Sequence, residues 1–141
     1  MILRIDTTAI RTKLARANEA LRTTGVTTAA EKSRELIWDA NSRGLDVDGQ
    51  PFEQYTPIYR IYGRERKGYR GDPPDLYRTG SYKESFEVNT NDGTALLRPG
   101  ADFEDIAKGL TSRRKHIGLN PANRSAVKQA VVQAIKKEIA A

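Results

Sequence analysis

Residues 73–88 read PPDLYRTGSYKESFEV, and this stretch decides how the rest of the chain is arranged. The run Asp72-Pro73-Pro74 forbids helix and biases the backbone toward extended geometry. Leu76 and Tyr77 are the first apolar residues after a long polar run. Thr79-Gly80 is a turn pair, and Gly80 can take a positive φ at low steric cost. Phe86 and Val88 then fall on one face of a strand, with Ser85 and Glu87 on the other. The stretch therefore turns a polar, basic segment and delivers it into a sheet.

Downstream, residues 85–89 and 94–98 read as the two strands of a hairpin. Asn91-Asp92-Gly93 is the turn between them. Ala95 and Leu97 share one face and Leu96 lies opposite, so the second strand is expected to be covered on both sides. Pro99-Gly100 ends it. Residues 101–110 predict a short helix with Phe103, Ile106, Ala107 and Leu110 inward. A last helix follows: Asn120 caps it and Pro121 sits at the first helical position, where its missing N–H costs nothing. Val127, Val131, Ile135 and Ile139 are spaced by four along it. Lys136 and Lys137 complement the helix dipole at its end.

Upstream, Ile10, Leu14, Ala17 and Leu21 recur at helical spacing, opposite a face of Arg11, Lys13, Arg16, Asn18 and Glu19. Asp6, Thr7 and Thr8 suit the N-cap, and residues 2–5 are an edge strand or a lead-in. Thr23-Thr24-Gly25 is expected to stop this helix. Thr28 and Glu31 have capping-box spacing for a second, whose apolar face is Ala30, Ser33, Ile37 and Ala40, widened by Leu36 and Trp38. Asn41-Ser42-Arg43-Gly44 ends it. The pair makes either an antiparallel hairpin or one interrupted long helix.

Between helices and hairpin lie two irregular segments. In residues 44–59, Asp48-Gly49 makes a turn, and Pro51 and Pro57 are expected to exclude regular helix. Phe52, Tyr55, Ile58 and Tyr59 are anchors to the core. Residues 59–72 carry Arg60, Arg64, Arg66, Lys67 and Arg70 against Glu65 and Asp72, and Gly63, Gly68 and Gly71 are expected to deny them secondary structure. They read as a long, mobile, basic arm.

The 141 residues suit one domain, 1–141, with a helical part at 1–44, the arm at 59–75, and sheet plus C-terminal helix at 76–141. The expected class is α+β: an N-terminal helical pair, a small antiparallel sheet built on the hairpin, and a C-terminal helix packed on it. Hydrophobic content of 38% and the lack of a long apolar run predict a soluble chain without a membrane span. Residues 1–5 are too short and too soon charged for a secretory signal. There is no cysteine, hence no disulfide or thiolate metal site. The net charge of +6 permits contact with nucleic acid or an acidic protein surface. A two-stranded ribbon is marginal alone, so further strands are expected from residues 2–5, from the Leu76 region or from another copy, and the shortage argues for oligomerisation.

No catalytic constellation emerges, and no enzyme activity or cofactor is expected. His116, the single histidine, has no partner that the sequence points to, and reads as an exposed residue or one held by its motif. Asp46-x-Asp48-Gly49 fails as a calcium loop. With Gly49 at the required glycine, Gly44 takes the first ligand position and Tyr55 stands where the bidentate Glu belongs. The glycines of the arm are not a phosphate loop, because no G-K-(S/T) follows. The arm itself, with Tyr59, Tyr62 and Tyr69 among its arginines, could stack bases and neutralise phosphates.

Three segments carry a resemblance to the virion morphogenesis family, the neck and tail-completion proteins of tailed bacteriophages. Asp46, Asp48, Gly49, Pro51, Phe52, Tyr55, Thr56 and Tyr59 match its D-x-(D/N)-G-x-P-(F/W)-x-x-(Y/L)-(S/T)-x-x-Y segment. Leu76, Thr79, Gly80 and Ser85 match L-x-x-T-G-x-(L/M)-x-x-S, with Tyr82 at a usually aliphatic position. Arg114, Ile117, Gly118, Leu119 and Asn120 match the R-x-x-(I/L)-G-(L/I)-(S/N) that precedes the last helix. The resemblance implies a virion structural protein at the head–tail junction, assembled in the bacterial host cytoplasm. It would form a homo-oligomeric ring between a head-completion or connector protein and a tail terminator or tube protein. Arg60, Arg64, Arg66, Lys67 and Arg70 would then touch neighbouring subunits or DNA in the channel. The alternative is a basic nucleic-acid-binding module that uses the 59–72 arm.

Overall fold

Helix α1 (Thr8–Ala20) passes through a π-helical turn (Leu21–Gly25) into α2 (Val26–Ser42) without a break. The computed structural model describes residues 7–74, 76, 80–91 and 93–141. Residues 2–5, Asp6, Tyr77, Thr79 and Asp92, each part of an expectation above, lie outside the described residues.

The interrupted long helix is thus the arrangement adopted, and Thr23-Thr24-Gly25 does not stop it. The Thr23 hydroxyl donates to the Glu19 carbonyl at 2.9 Å, so it is satisfied inside the helix. The Val26 N–H reaches back to the Leu21 carbonyl, which absorbs one extra residue. Gly25 is buried, and its bare Cα admits the last helix. A Cβ there would stand 3.4 Å from both Val131 Cγ1 and Ile135 Cδ1. The glycine serves a close helix–helix approach, and Thr28 lies in helix interior instead of capping.

That last helix, α5 (Pro121–Ala140), runs along α1, the π turn and α2. Its start is as the sequence predicts: the Asn120 side chain accepts the Asn123 N–H at 2.8 Å, and Pro121 opens the first turn. Another stretch of α2, through Val26, Ala29, Ala30 and Ser33, faces Ala95 and Leu97 of the hairpin. One long helix therefore supports both the sheet and α5.

Strands β1 (Glu87–Asn91) and β2 (Thr94–Arg98) pair antiparallel, with Val88 opposite Leu97 and Thr90 opposite Ala95. Gly93 takes φ +78° in the connection. The sheet has two strands among the described residues. Leu96, expected to be covered, is 50% exposed, because only the Ala95–Leu97 face meets α2. Phe86 precedes the strand and turns into the core, edge-on to Trp38 at 5.2 Å. Helix α3 (Ser81–Glu84) carries Tyr82 to the same cluster, and α4 (Glu104–Thr111) follows a 3-10 turn at Ala101–Phe103. The class is α+β, as the sequence predicts.

Residues 57–67 depart from expectation: they are helical, with a π turn at Tyr59–Arg64 and a 3-10 turn at Glu65–Lys67. Pro57 does not exclude helix because it stands at the first helical position. Thr56 ahead of it caps, its carbonyl accepting the Arg60 N–H at 2.8 Å and its hydroxyl facing the Tyr59 N–H at 3.4 Å. Gly63 lets the Tyr59 ring lie against the backbone, and Gly68, at φ +78°, ends the helix.

Residues 8–16 of α1 are exposed on every side, including Ile10 and Leu14 on its apolar stripe.

Candidate functional site

The three segments that carry the family resemblance converge on the end of α2. Asp46 Oδ1 accepts the N–H groups of Asp48 (2.9 Å) and Gln50 (2.8 Å), and this closes a turn through Gly49 at φ +77°. Asp48 itself stays exposed, its carboxylate 3.5 Å from Lys115 Nζ. Pro51 bridges to Leu45, and Phe52 is buried. The loop docks on the third segment: the Val47 N–H donates to the Lys115 carbonyl at 2.8 Å. Gly118 lies against Val47 so closely that a Cβ would meet its Cγ1 at 3.1 Å. Asn41 Nδ2, fully enclosed at the end of α2, donates to the His116 carbonyl at 3.1 Å.

His116 is the centre of this junction, and the sequence missed its role. It is 1% exposed. Its Nδ1 faces the Arg114 carbonyl at 3.1 Å, a fixed acceptor, so Nδ1 carries the proton. Nε2 is then an acceptor, and the Tyr82 hydroxyl donates to it at 2.7 Å. Burial pushes the imidazole pKa below its ordinary value, and the nearby Arg114 charge acts in the same direction against the backbone hydrogen bond. Burial pushes the Tyr82 phenol up to about 12. Tyr82 also packs on Trp38, Phe86 and Phe103. No local sequence pattern signals this pairing.

The second segment supports the junction from the other side. Gly80 takes φ +86° immediately before α3, and Ser85 closes α3 by donating to the Tyr82 carbonyl at 2.7 Å. Leu76 takes φ 55°, a left-handed conformation unusual for leucine. Gly44, at φ +76°, faces Pro74 so tightly that a Cβ would stand 2.7 Å from its carbonyl oxygen.

The basic residues of 59–72 do not form a free arm. Arg64 is 2% exposed and donates through Nε to the Arg70 carbonyl, so burial removes it as a surface contact. Arg60 lies 3.5 Å from Glu65, and Arg70 donates to the Ser42 carbonyl at 3.0 Å. Arg66 covers the Tyr62 ring at 4.2 Å, and Lys67 is exposed. Tyr55 is sandwiched in a cluster: Arg64 and Arg114 stand 4.9 and 5.1 Å from its ring, and Tyr59 meets it edge-on at 5.2 Å. Tyr59 keeps part of its ring exposed.

Among the described residues no group of His, Asp and Glu could hold a metal ion, and no helix is long and apolar enough to cross a membrane. Next to the junction lies an open cleft of about 770 Å³, between Tyr55 and Tyr59 on one side and α3 and α4 on the other. Comparison with family models, curated proteins and solved structures finds no match to this chain.

Proposed function

We propose that this chain is a structural subunit of the head–tail junction of a tailed bacteriophage, acting in virion assembly as a homo-oligomeric ring. The observation that carries the oligomer is the uncovered apolar surface of α1, where Ile10, Leu14 and Leu21 form a stripe 49–64% exposed. Leu96, 50% exposed, and a sheet of two strands among the described residues add to what association would cover. Identical subunits that repeat such a contact head to tail close into a ring when the rotation permits. The neck assignment rests on the resemblance, and the convergence of its three segments on one junction supports treating them as a single structural motif.

In this role the protein does its work by shape and charge, without turnover. One ring face would meet the head-completion or connector protein and the other the tail terminator or tube, with DNA passing through the channel. The nucleic-acid-module alternative keeps Tyr59 and Tyr62, which are 42% and 54% exposed, but loses the buried Arg64 as a phosphate contact. The test is particle assembly in the absence of this chain, viewed by electron microscopy. Filled heads and separate tails that fail to join are expected. Normal yields of infectious particles without it would refute the proposal.

A further inference from the structure

The cleft beside the Tyr82–His116 junction has the chemistry of a docking site. Its volume of about 770 Å³ lies within the range of ligand pockets. One wall is apolar: Ile106 and Leu110 of α4, with Phe103 and Tyr82 behind them. Ile106 is 51% exposed, although its helix buries Ala107 on the neighbouring face. The rim is cationic. Lys83, Arg113 and Arg114 line it, and Glu53 is the one acid among the described lining residues. Arg114 donates through Nη2 to the Glu53 carbonyl at 2.8 Å, which fixes its guanidinium at the rim. A guanidinium held at a rim favours an incoming carboxylate.

Peptide and nucleic acid both offer anionic groups, and the rings of the site separate them. Single-stranded nucleic acid needs a series of open aromatic faces for its bases; here the Tyr55 ring is taken by Arg64 and Arg114, and Tyr59, 42% exposed, is left partly open. Beside it the cleft presents the aliphatic Ile106–Leu110 wall next to positive charge. That pairing fits a side chain that fills an apolar pocket beside a carboxylate. We propose that this cleft docks a short peptide segment of another protein, one that places an acidic residue next to a bulky apolar one. Charge complementarity draws the segment in and the Ile106–Leu110 wall holds it. The assignment rests on the cleft alone and stands apart from the head–tail reading.

The test uses the full chain and fluorescently labelled short peptides, acetylated and amidated, that pair Asp or Glu with Leu, Phe or Trp. A matched set carries Asn or Gln in place of the acids, and labelled oligothymidine is the third probe. Acidic peptides should bind at least ~10-fold more tightly than their amide counterparts, about the value of one charge-assisted contact. Arg113→Glu and Ile106→Ser both alter exposed side chains, so each variant should melt as the parent does while losing at least ~10-fold in affinity. Equal binding of the two peptide sets, binding indifferent to both variants, or no peptide binding at all would overturn the proposal. So would a clear preference for oligothymidine.

Discussion

Replacing Tyr82 by Phe removes one oxygen from the centre of the molecule and leaves the ring in place. The ring contacts with Trp38, Phe86 and Phe103 are retained, so the cavity term is small. What changes is His116. Its Nδ1–H remains committed to the Arg114 carbonyl, and its Nε2 loses the 2.7 Å hydrogen bond from the phenol. At 1% exposure the ring has no route to water. A buried acceptor left unsatisfied costs about 1–3 kcal/mol, which for a chain of this length corresponds to a melting temperature lower by roughly 2–12 °C. Urea unfolding of both proteins at neutral pH reads the change directly. The midpoint should fall while the slope with denaturant stays constant. A loss under about 0.5 kcal/mol would show that Nε2 finds another donor, such as water entering from the adjacent cleft, and would overturn the reading of a sealed pair.

The same pair sets a pH dependence. The folded-state pKa of His116 is depressed, so the unfolded chain binds more protons as pH falls through the histidine range. Its contribution to stability is present above about pH 6.5, the unfolded value, and is lost as pH falls from there through the folded pKa. His116→Gln should flatten that part of the profile, and an NMR titration should show the ring protonating below the ordinary histidine range. Gly44→Ala should cost about 2–4 kcal/mol in urea unfolding, because it combines a left-handed φ with a clash on the Pro74 carbonyl. Gly109→Ala, in α4 with nothing near its Cβ position, should stabilise by about 0.5–1 kcal/mol. Asn120→Ala should cost about 1 kcal/mol by removing the cap of α5.

What the sequence disclosed and what it hid divide along a physical line. Signals that act within a few residues were legible: the Asn120-Pro121 helix start, the Gly93 hairpin turn, the Asp48-Gly49 turn. Signals whose meaning depends on a distant partner were not. Gly25 looks like a helix stop and is a point of contact for Val131 and Ile135. Pro57 looks like a helix breaker, yet with Thr56 before it the pair is a start signal of the same kind as Asn120-Pro121, here obscured by the glycines that follow. Arg64 has the composition of a surface arm and is buried against Tyr55 and the Arg70 carbonyl. The Tyr82–His116 bond joins residues 34 apart in sequence, with no local pattern to betray it.

The central claim is that this protomer is unfinished alone and completes itself with copies of its own chain. Native mass spectrometry of the purified protein across a concentration series tests it most directly, with Leu14→Asp as the companion, since Leu14 is 64% exposed and its replacement spares the core. The account predicts one discrete closed oligomer at micromolar concentration, and dissociation to a folded monomer in the variant. A parent protein that remains monomeric at every concentration would contradict it.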